Sequence, residues 1–370
     1  MKRLAYIGHY TDESRIGIRV VRIDDANGAV EEVRSILVDN AIWMTQNRDG
    51  AVLYATCDDG LVAYRATEAG ALEEISRVRL GGLTAPCHAA LSPDGTRLAW
   101  AEYRNGVVGL VALAADGSFV VDSLRMVRHE GCGVSSPRQD SAHAHCVQFA
   151  PDGKYLFAVD LGLDEVKAYD PDSLAEIAGK TLQVAPGHGP RHLVFHPSGA
   201  WAAVDFELAN RVALYRYRDG EAACAARPPH QRVVEECAAR PPIEECANLS
   251  TLPEDYSGHS QCAAVKFSED GGELYVSNRG HDSLAVFAVD AATGMLARRG
   301  VLRLGGSFPR DFAFAPGGKL LVACLKKSGV VRTYAYDRAA CRLAPHADLA
   351  GLYRPLFVLC GGRNEMVSYA

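Results

Sequence analysis

Arginine and a carboxylate recur at matched places in a repeating pattern, and residues 187–207 show the pattern most fully. Arg191 opens one apolar run, Pro197-Ser198-Gly199 turns the chain, and Glu207 closes the run that follows. Counting back six residues from the proline of each such turn gives Cys87, His145, Arg191 and Arg310. Counting forward eight from each turn glycine gives Asp58, Tyr103, Leu161, Glu207, Arg279 and Lys326. If the runs are antiparallel strands, the start of one and the end of the next lie side by side, so both sets belong at one end of the molecule. Arginines gathered there repel one another unless something anionic lies between them, and guanidinium is suited to two-point recognition of carboxylate or phosphate. For a single arginine, an ordinary ion pair with Glu207, Asp205 or Asp311 is an equally good reading. Arg191, Arg279, Arg310 and Lys326 together favour an anion site.

Glu207 among these cations is expected to stay ionised and to be available as a general base. His143 and His145, two apart on a strand, should face the same way and could move a proton near neutral pH. One of the two is as readily a packed histidine bonded to a carbonyl. Tyr103 and His192 complete the expected substrate contacts. A His-x-His pair can also chelate zinc with His188 or His192 nearby, but no acidic or cysteine ligand completes the set, so neither metal nor cofactor is expected. The Gly187-His188-Gly189 segment would let backbone approach a ligand, or is simply a turn between units.

The elements that must position these groups are read from the turn glycines 50, 95, 153, 199, 271 and 318. Their spacings are 45, 58, 46, 72 and 47 residues, which is a unit of about 46 with insertions in the second and fourth intervals, a period typical of a propeller blade. Most turns read Pro-x-Gly or Asp-Gly between apolar strands, with proline presetting φ and glycine supplying φ > 0. A third strand follows, as at 166–170, 284–290 and 330–337, and then a less regular fourth. Residues 4–8 and 17–24 match second and third strands, and residues 355–360 match a first strand. The ends therefore should complete a seventh unit and close the ring. The expected fold is all-β, a seven-bladed propeller of four-stranded antiparallel blades in one domain spanning 1–370. Residues 219–257, with Cys-Ala-Ala-Arg-Pro-Pro twice, read as an irregular insertion on blade five, because Pro-Pro cannot occupy a central strand. Its Cys224, Cys237 and Cys246 could pair or bind metal, but an inert surface insertion is the simpler reading.

Composition narrows the function further. With 39 Lys and Arg against 45 Asp and Glu in 370 residues, the net charge is -6, so no overall basic field favours nucleic acid or an anionic membrane. No apolar run is long enough to span a bilayer, and the first residues lack a secretory h-region. Eleven cysteines include Cys57, Cys146, Cys262 and Cys324 inside apolar runs, where thiols act as small apolar side chains, and none forms Cys-x-x-Cys. A reduced, cytoplasmic protein, monomeric or weakly self-associating, is expected.

At these residues the sequence resembles the seven-bladed lactonase family, which includes the propeller-type 6-phosphogluconolactonases of bacteria and fungal carboxymuconate cyclases. The resemblance rests on Tyr6-Ile-Gly-His-Tyr-Thr, Pro86-Cys-His-Ala-Ala-Leu-Ser-Pro-Asp-Gly95 and His143-Ala-His145. It continues through Gly189-Pro-Arg-His-Leu-Val-Phe-His, Asn278-Arg-Gly-His-Asp-Ser and Pro309-Arg-Asp-Phe. It implies a metal-independent site in the channel mouth, formed by His143 or His145, Arg191, Glu207 and Arg279. The implied substrate is a small anionic sugar lactone, most simply 6-phosphogluconolactone; a carboxylated muconate, or an anion or protein partner bound without turnover, are the alternatives. This chain departs from the family pattern at Thr56-Cys57-Asp58 and at Asp205-Phe206 before Glu207.

Overall fold

The structure, a computed structural model, describes residues 2–58, 60–218 and 241–361. It contains seven antiparallel sheets of four strands each. The first strands of neighbouring sheets touch all the way round, so the sheets form a closed ring of seven blades. In blade 1 the C-terminal strand Pro355–Cys360 is innermost and pairs with Lys2–His9, which pairs with Ile16–Asp24 and then Val30–Leu37. The two ends of the described chain thus lock together, which removes the open sheet edge a linear array would leave. No helix among the described residues is long and apolar enough to cross a membrane.

The six turn glycines do the same job in six blades. Each has φ between 67° and 74°. Each donates its N–H to the carbonyl three residues earlier, as Gly95 does to Ser92 and Gly199 to His196. A side chain at that φ is strained, which explains why glycine recurs there while the residues around it vary.

Second strands carry the greatest burial because each blade face packs against a neighbour. Val52–Cys57, Trp201–Phe206 and Leu320–Leu325 are buried at every position. Apolar clusters lie between all seven pairs of adjacent blades, for example Phe157, Val159, Leu193 and Val204 between blades 4 and 5. Truncating one such residue, as in Leu321→Ala, should cost about 2–5 kcal/mol. Outer strands such as Arg342–Leu349 face solvent on one side. The thiols of Cys146, Cys262 and Cys324 are buried, and burial pushes them up from their ordinary range.

The insertion is shorter than the sequence suggests. Ile243–Ser250 is a regular fourth strand, paired along its length with Arg211–Tyr217 of blade 5. Thr251 is buried and donates its hydroxyl to Asn278 Oδ1 at 2.7 Å. The outer strand was hidden because its residues, Ile-Glu-Glu-Cys-Ala-Asn-Leu-Ser, are half polar and show no clean alternation. Cys246 lies on it as an exposed free thiol. Cys224 and Cys237 lie outside the described residues.

Candidate active site

The second strand of blade 5 ends at Phe206, that of blade 6 at Arg279 and that of blade 7 at Leu325. Glu207, Arg279 and Lys326 therefore emerge at the same mouth. The first strands enter beside them with a shared irregularity. Register shifts fall between Ala144 and Cys146, Pro190 and Leu193, Cys262 and Val265, and Pro309 and Asp311. His145, Arg191, His192 and Arg310 sit at these bulges, which re-aim side chains that a regular strand would send alternately to its two faces. Strand alternation consequently does not relate His143 to His145, since the strand begins at Ala144.

Glu207 is the centre. Its Oε2 lies 3.0 Å from Arg191 Nε and 2.8 Å from Arg279 Nη2. Its Oε1 lies 2.6 Å from Arg138 Nη2. Burial alone would raise the carboxyl, but Arg279, Arg191 and Arg138 outweigh it and hold it well below the usual carboxylate range. Burial lowers the guanidinium pKa of both Arg191 and Arg279, with Glu207 opposing. Arg191 also donates to the carbonyl of Ala263, and Arg279 to that of Cys262. These bonds fix both arginines on the first strand of blade 6.

Two further cations are left over. Arg310 donates to the Leu356 carbonyl at 3.4 Å and has no carboxylate within 4.0 Å among the described residues. Its neighbour Asp311 is taken by Lys266 at 3.0 Å. Lys326 lies 5.1 Å above the Tyr10 ring and 5.5 Å above Phe308. Burial, then Arg310 and Arg279, push its ammonium down to about 8. Three guanidiniums share one carboxylate and two more cations face the same region, so the mouth carries excess positive charge that a ligand anion would neutralise.

The two histidines differ. His143 is half-buried and its Nδ1–H donates to the Tyr103 carbonyl at 2.9 Å, with Nε2 making no hydrogen bond among the described residues. Its ring stacks on Tyr103 at 4.3 Å. His145 is buried beside His192, ring to ring 5.2 Å. Burial and then Arg191 hold both His145 and His192 well below the ordinary imidazole range. A desolvated imidazole beside a guanidinium stays neutral, which favours the packed-histidine reading at His145. His192 in turn abuts Arg191 and His88, and His88 is lowered to about 3, chiefly by burial. With Trp43, 4.1 Å from His88 and 4.3 Å from Phe357, these rings form a neutral aromatic floor below the cationic mouth. Among the described residues no group of three His, Cys, Asp or Glu is placed to hold a metal ion. His188 packs on Phe206 at 5.2 Å.

Other groups prove to be scaffold. The amides of Gly187 and Gly189 both donate to Asp164, at 2.7 Å each, so the Gly-His-Gly segment is a clamped turn between blades. Asp205 is fully buried, accepts the His192 N–H at 2.8 Å, and burial pushes its carboxyl up to about 7. It is not an arginine partner. Leu161, at the blade-4 position equivalent to Glu207, is buried, and the blade-2 equivalent Asp58 accepts from Asn40.

Sequence reasoning missed Arg138, whose Nη2 also donates to the Tyr103 hydroxyl at 3.2 Å. Its signal was the 58-residue second interval, whose extra length is the loop carrying it. Trp43, His88 and Phe357 were missed because aromatic residues near strand starts read equally well as core.

Comparison with known proteins agrees with the fold. Residues 4–360 match the family model described as lactonase, 7-bladed beta-propeller. The chain belongs to this lactonase family. A 6-phosphogluconolactonase of Bacillus subtilis is 30% identical over 350 residues, covering 92% of this chain and 93% of its own. A periplasmic gluconolactonase of Pseudomonas aeruginosa superposes with a TM-score of 0.85 at 28% identity, covering 98% of this chain and 99% of that one. A Lactobacillus plantarum protein superposes at 0.83 with 27% identity, over 98% of this lactonase and 100% of that chain.

Proposed function

We propose that this lactonase opens a phosphorylated sugar δ-lactone, 6-phosphogluconolactone to 6-phosphogluconate, at the cationic mouth. The observation that carries the proposal is the excess of cation over carboxylate around Glu207. A neutral lactone gives no reason to keep Arg310 and Lys326 half-buried without a carboxylate. A phosphate dianion does.

In this reading Arg310 and Lys326 hold the phosphate together with Arg138, and the sugar ring rests on the aromatic floor. Arg191 and Arg279, held by backbone carbonyls, face the lactone carbonyl and stabilise the oxyanion formed when water adds. Glu207 takes the proton of that water. The tetrahedral intermediate collapses by breaking the bond between the acyl carbon and the ring oxygen. The proton returns to that oxygen from Glu207. Buried free thiols such as Cys87, Cys146, Cys262 and Cys324 suit a reducing cytoplasm.

The test is hydrolysis of freshly prepared δ-6-phosphogluconolactone against its spontaneous rate. Wild type should accelerate it, and Arg191→Ala should lose about a hundredfold or more. No acceleration by wild type, or an Arg191→Ala variant as fast as wild type, overturns the proposal.

A further inference from the structure

The three arginines on Glu207 are not equivalent. Arg191 and Arg279 both meet Oε2, have side chains only 1% and 9% exposed, and are anchored to carbonyls of the blade-6 strand. Arg138 alone meets Oε1, is 35% exposed, and comes from a loop between blades 3 and 4. Its other bond is to the Tyr103 hydroxyl. The Glu207 side chain is only 3% exposed, and of the three guanidiniums against it Arg138 is the most exposed.

The loop beneath Arg138 is fixed. Gln139 is buried and donates from Nε2 to the Leu161 carbonyl at 2.8 Å. Its Oε1 accepts from Ser135 N–H at 3.0 Å, and its own N–H and C=O bond to Ser135 and Gly133. At the loop's base His129 is held between Asp160 at 2.6 Å and the Tyr169 hydroxyl at 2.9 Å. With the loop held in this way, Arg138 can change partner by moving its side chain alone. At 35% exposure Arg138 is the most solvent-facing of the three guanidiniums on Glu207.

We infer that Arg138 is a specificity-determining cover over Glu207, exchanging the Oε1 carboxylate oxygen for the anionic group of the incoming substrate and so uncovering Glu207 only for anionic lactones. This rests on the proposed reaction and adds to it the origin of substrate choice. A ligand shifts such an equilibrium only through its differential affinity for the two states, and here the difference is one guanidinium–anion pair. The consequence is that the anionic group should act on kcat as well as KM. A neutral lactone of the same ring leaves Arg138 on Glu207 and reacts slowly.

The experiment compares 6-phosphogluconolactone with unphosphorylated glucono-δ-lactone in wild type, Arg138→Ala and Arg138→Lys. In Arg138→Ala the ratio of kcat for the phosphorylated substrate to kcat for the neutral one should fall about tenfold, because Glu207 is then uncovered for both. The acid limb of kcat/KM, which reports the free enzyme, should move to higher pH in that variant. Arg138→Lys should restore most of the preference. Parallel loss on both substrates with an unmoved acid limb means that Arg138 only supports the fold, and overturns the inference while the proposed reaction stands. A wild type that neither hydrolyses the phosphorylated lactone nor binds 6-phosphogluconate overturns both.

Discussion

Among the described residues two glutamates are buried beside arginines, and only one of them looks like a site. Glu273 begins the second strand of blade 6, at the end of the ring opposite the mouth. Its carboxylate accepts from the Tyr275 hydroxyl at 2.6 Å and the Tyr336 hydroxyl at 3.1 Å, and pairs with Arg299 and with Arg338 at 3.1 Å. Arg338 is shared with Asp270 at 2.6 Å. Every partner there is satisfied, charges are nearly balanced, and both arginines reach solvent. Around Glu207 the balance is reversed: cations outnumber the carboxylate, two arginines are buried, and Arg310 and Lys326 are unspent. A buried carboxylate–arginine pair is therefore no mark of function by itself. Excess charge held without a carboxylate is what the proposed site adds.

That contrast is sharpest for the two Glu→Gln variants. Glu207→Gln should cut kcat/KM for the phosphorylated lactone by roughly a thousandfold, because it removes the proton acceptor and unbalances Arg191 and Arg279. A loss below tenfold in steady-state assays would place the base elsewhere, with His143 next. Glu273→Gln should instead lower unfolding free energy by about 3 kcal/mol, measured by urea titration, since breaking a buried pair leaves charge uncompensated. Its kcat/KM should stay within about twofold, as expected for distant independent sites. A catalytic defect there would erase the distinction.

Lys326 gives a smaller and pH-dependent effect. Its ammonium is pushed down to about 8, so it is charged below that pH and neutral above it. Binding of 6-phosphogluconate, followed by calorimetry, should weaken as pH rises through about 8. Lys326→Met should bind about tenfold more weakly at pH 7 and lose that pH step, because a charge-assisted hydrogen bond is gone. A retained step would point to another group. The smallest change is expected at Arg338→Ala. Its side chain is 45% exposed and Glu273 keeps three other partners, so the stability loss should be at most about 1 kcal/mol.

The fold was legible because it is written as a local, repeated signal. A turn needing φ > 0 asks for glycine wherever it occurs, and six copies at near-constant spacing reveal the blades. Residues 355–360 and 4–8 could be assigned to one blade because each matched a known strand of the unit. The half-polar strand Ile243–Ser250 escaped, since an outer strand packed on one side carries little apolar pattern. The repeat also placed Arg191, Glu207, Arg279, Arg310 and Lys326 at one mouth, because equivalent positions in equivalent blades must lie at equivalent heights.

Position alone could not say which groups pair. Glu207 rather than Asp205 holds the arginines because the bulge at Arg191 and His192 breaks strand alternation. His145 and His143 part company because one is desolvated beside Arg191 and the other keeps a bonded Nδ1 and an open Nε2. Arg138 lies outside the repeat altogether and reaches Glu207 only through the path of its loop. The sequence by itself determined the ring, its closure and the cationic mouth, through short-range turn chemistry and periodic burial. The tertiary structure decided partners, protonation and cover, because these depend on distances between side chains far apart in the chain and on how much water each has lost.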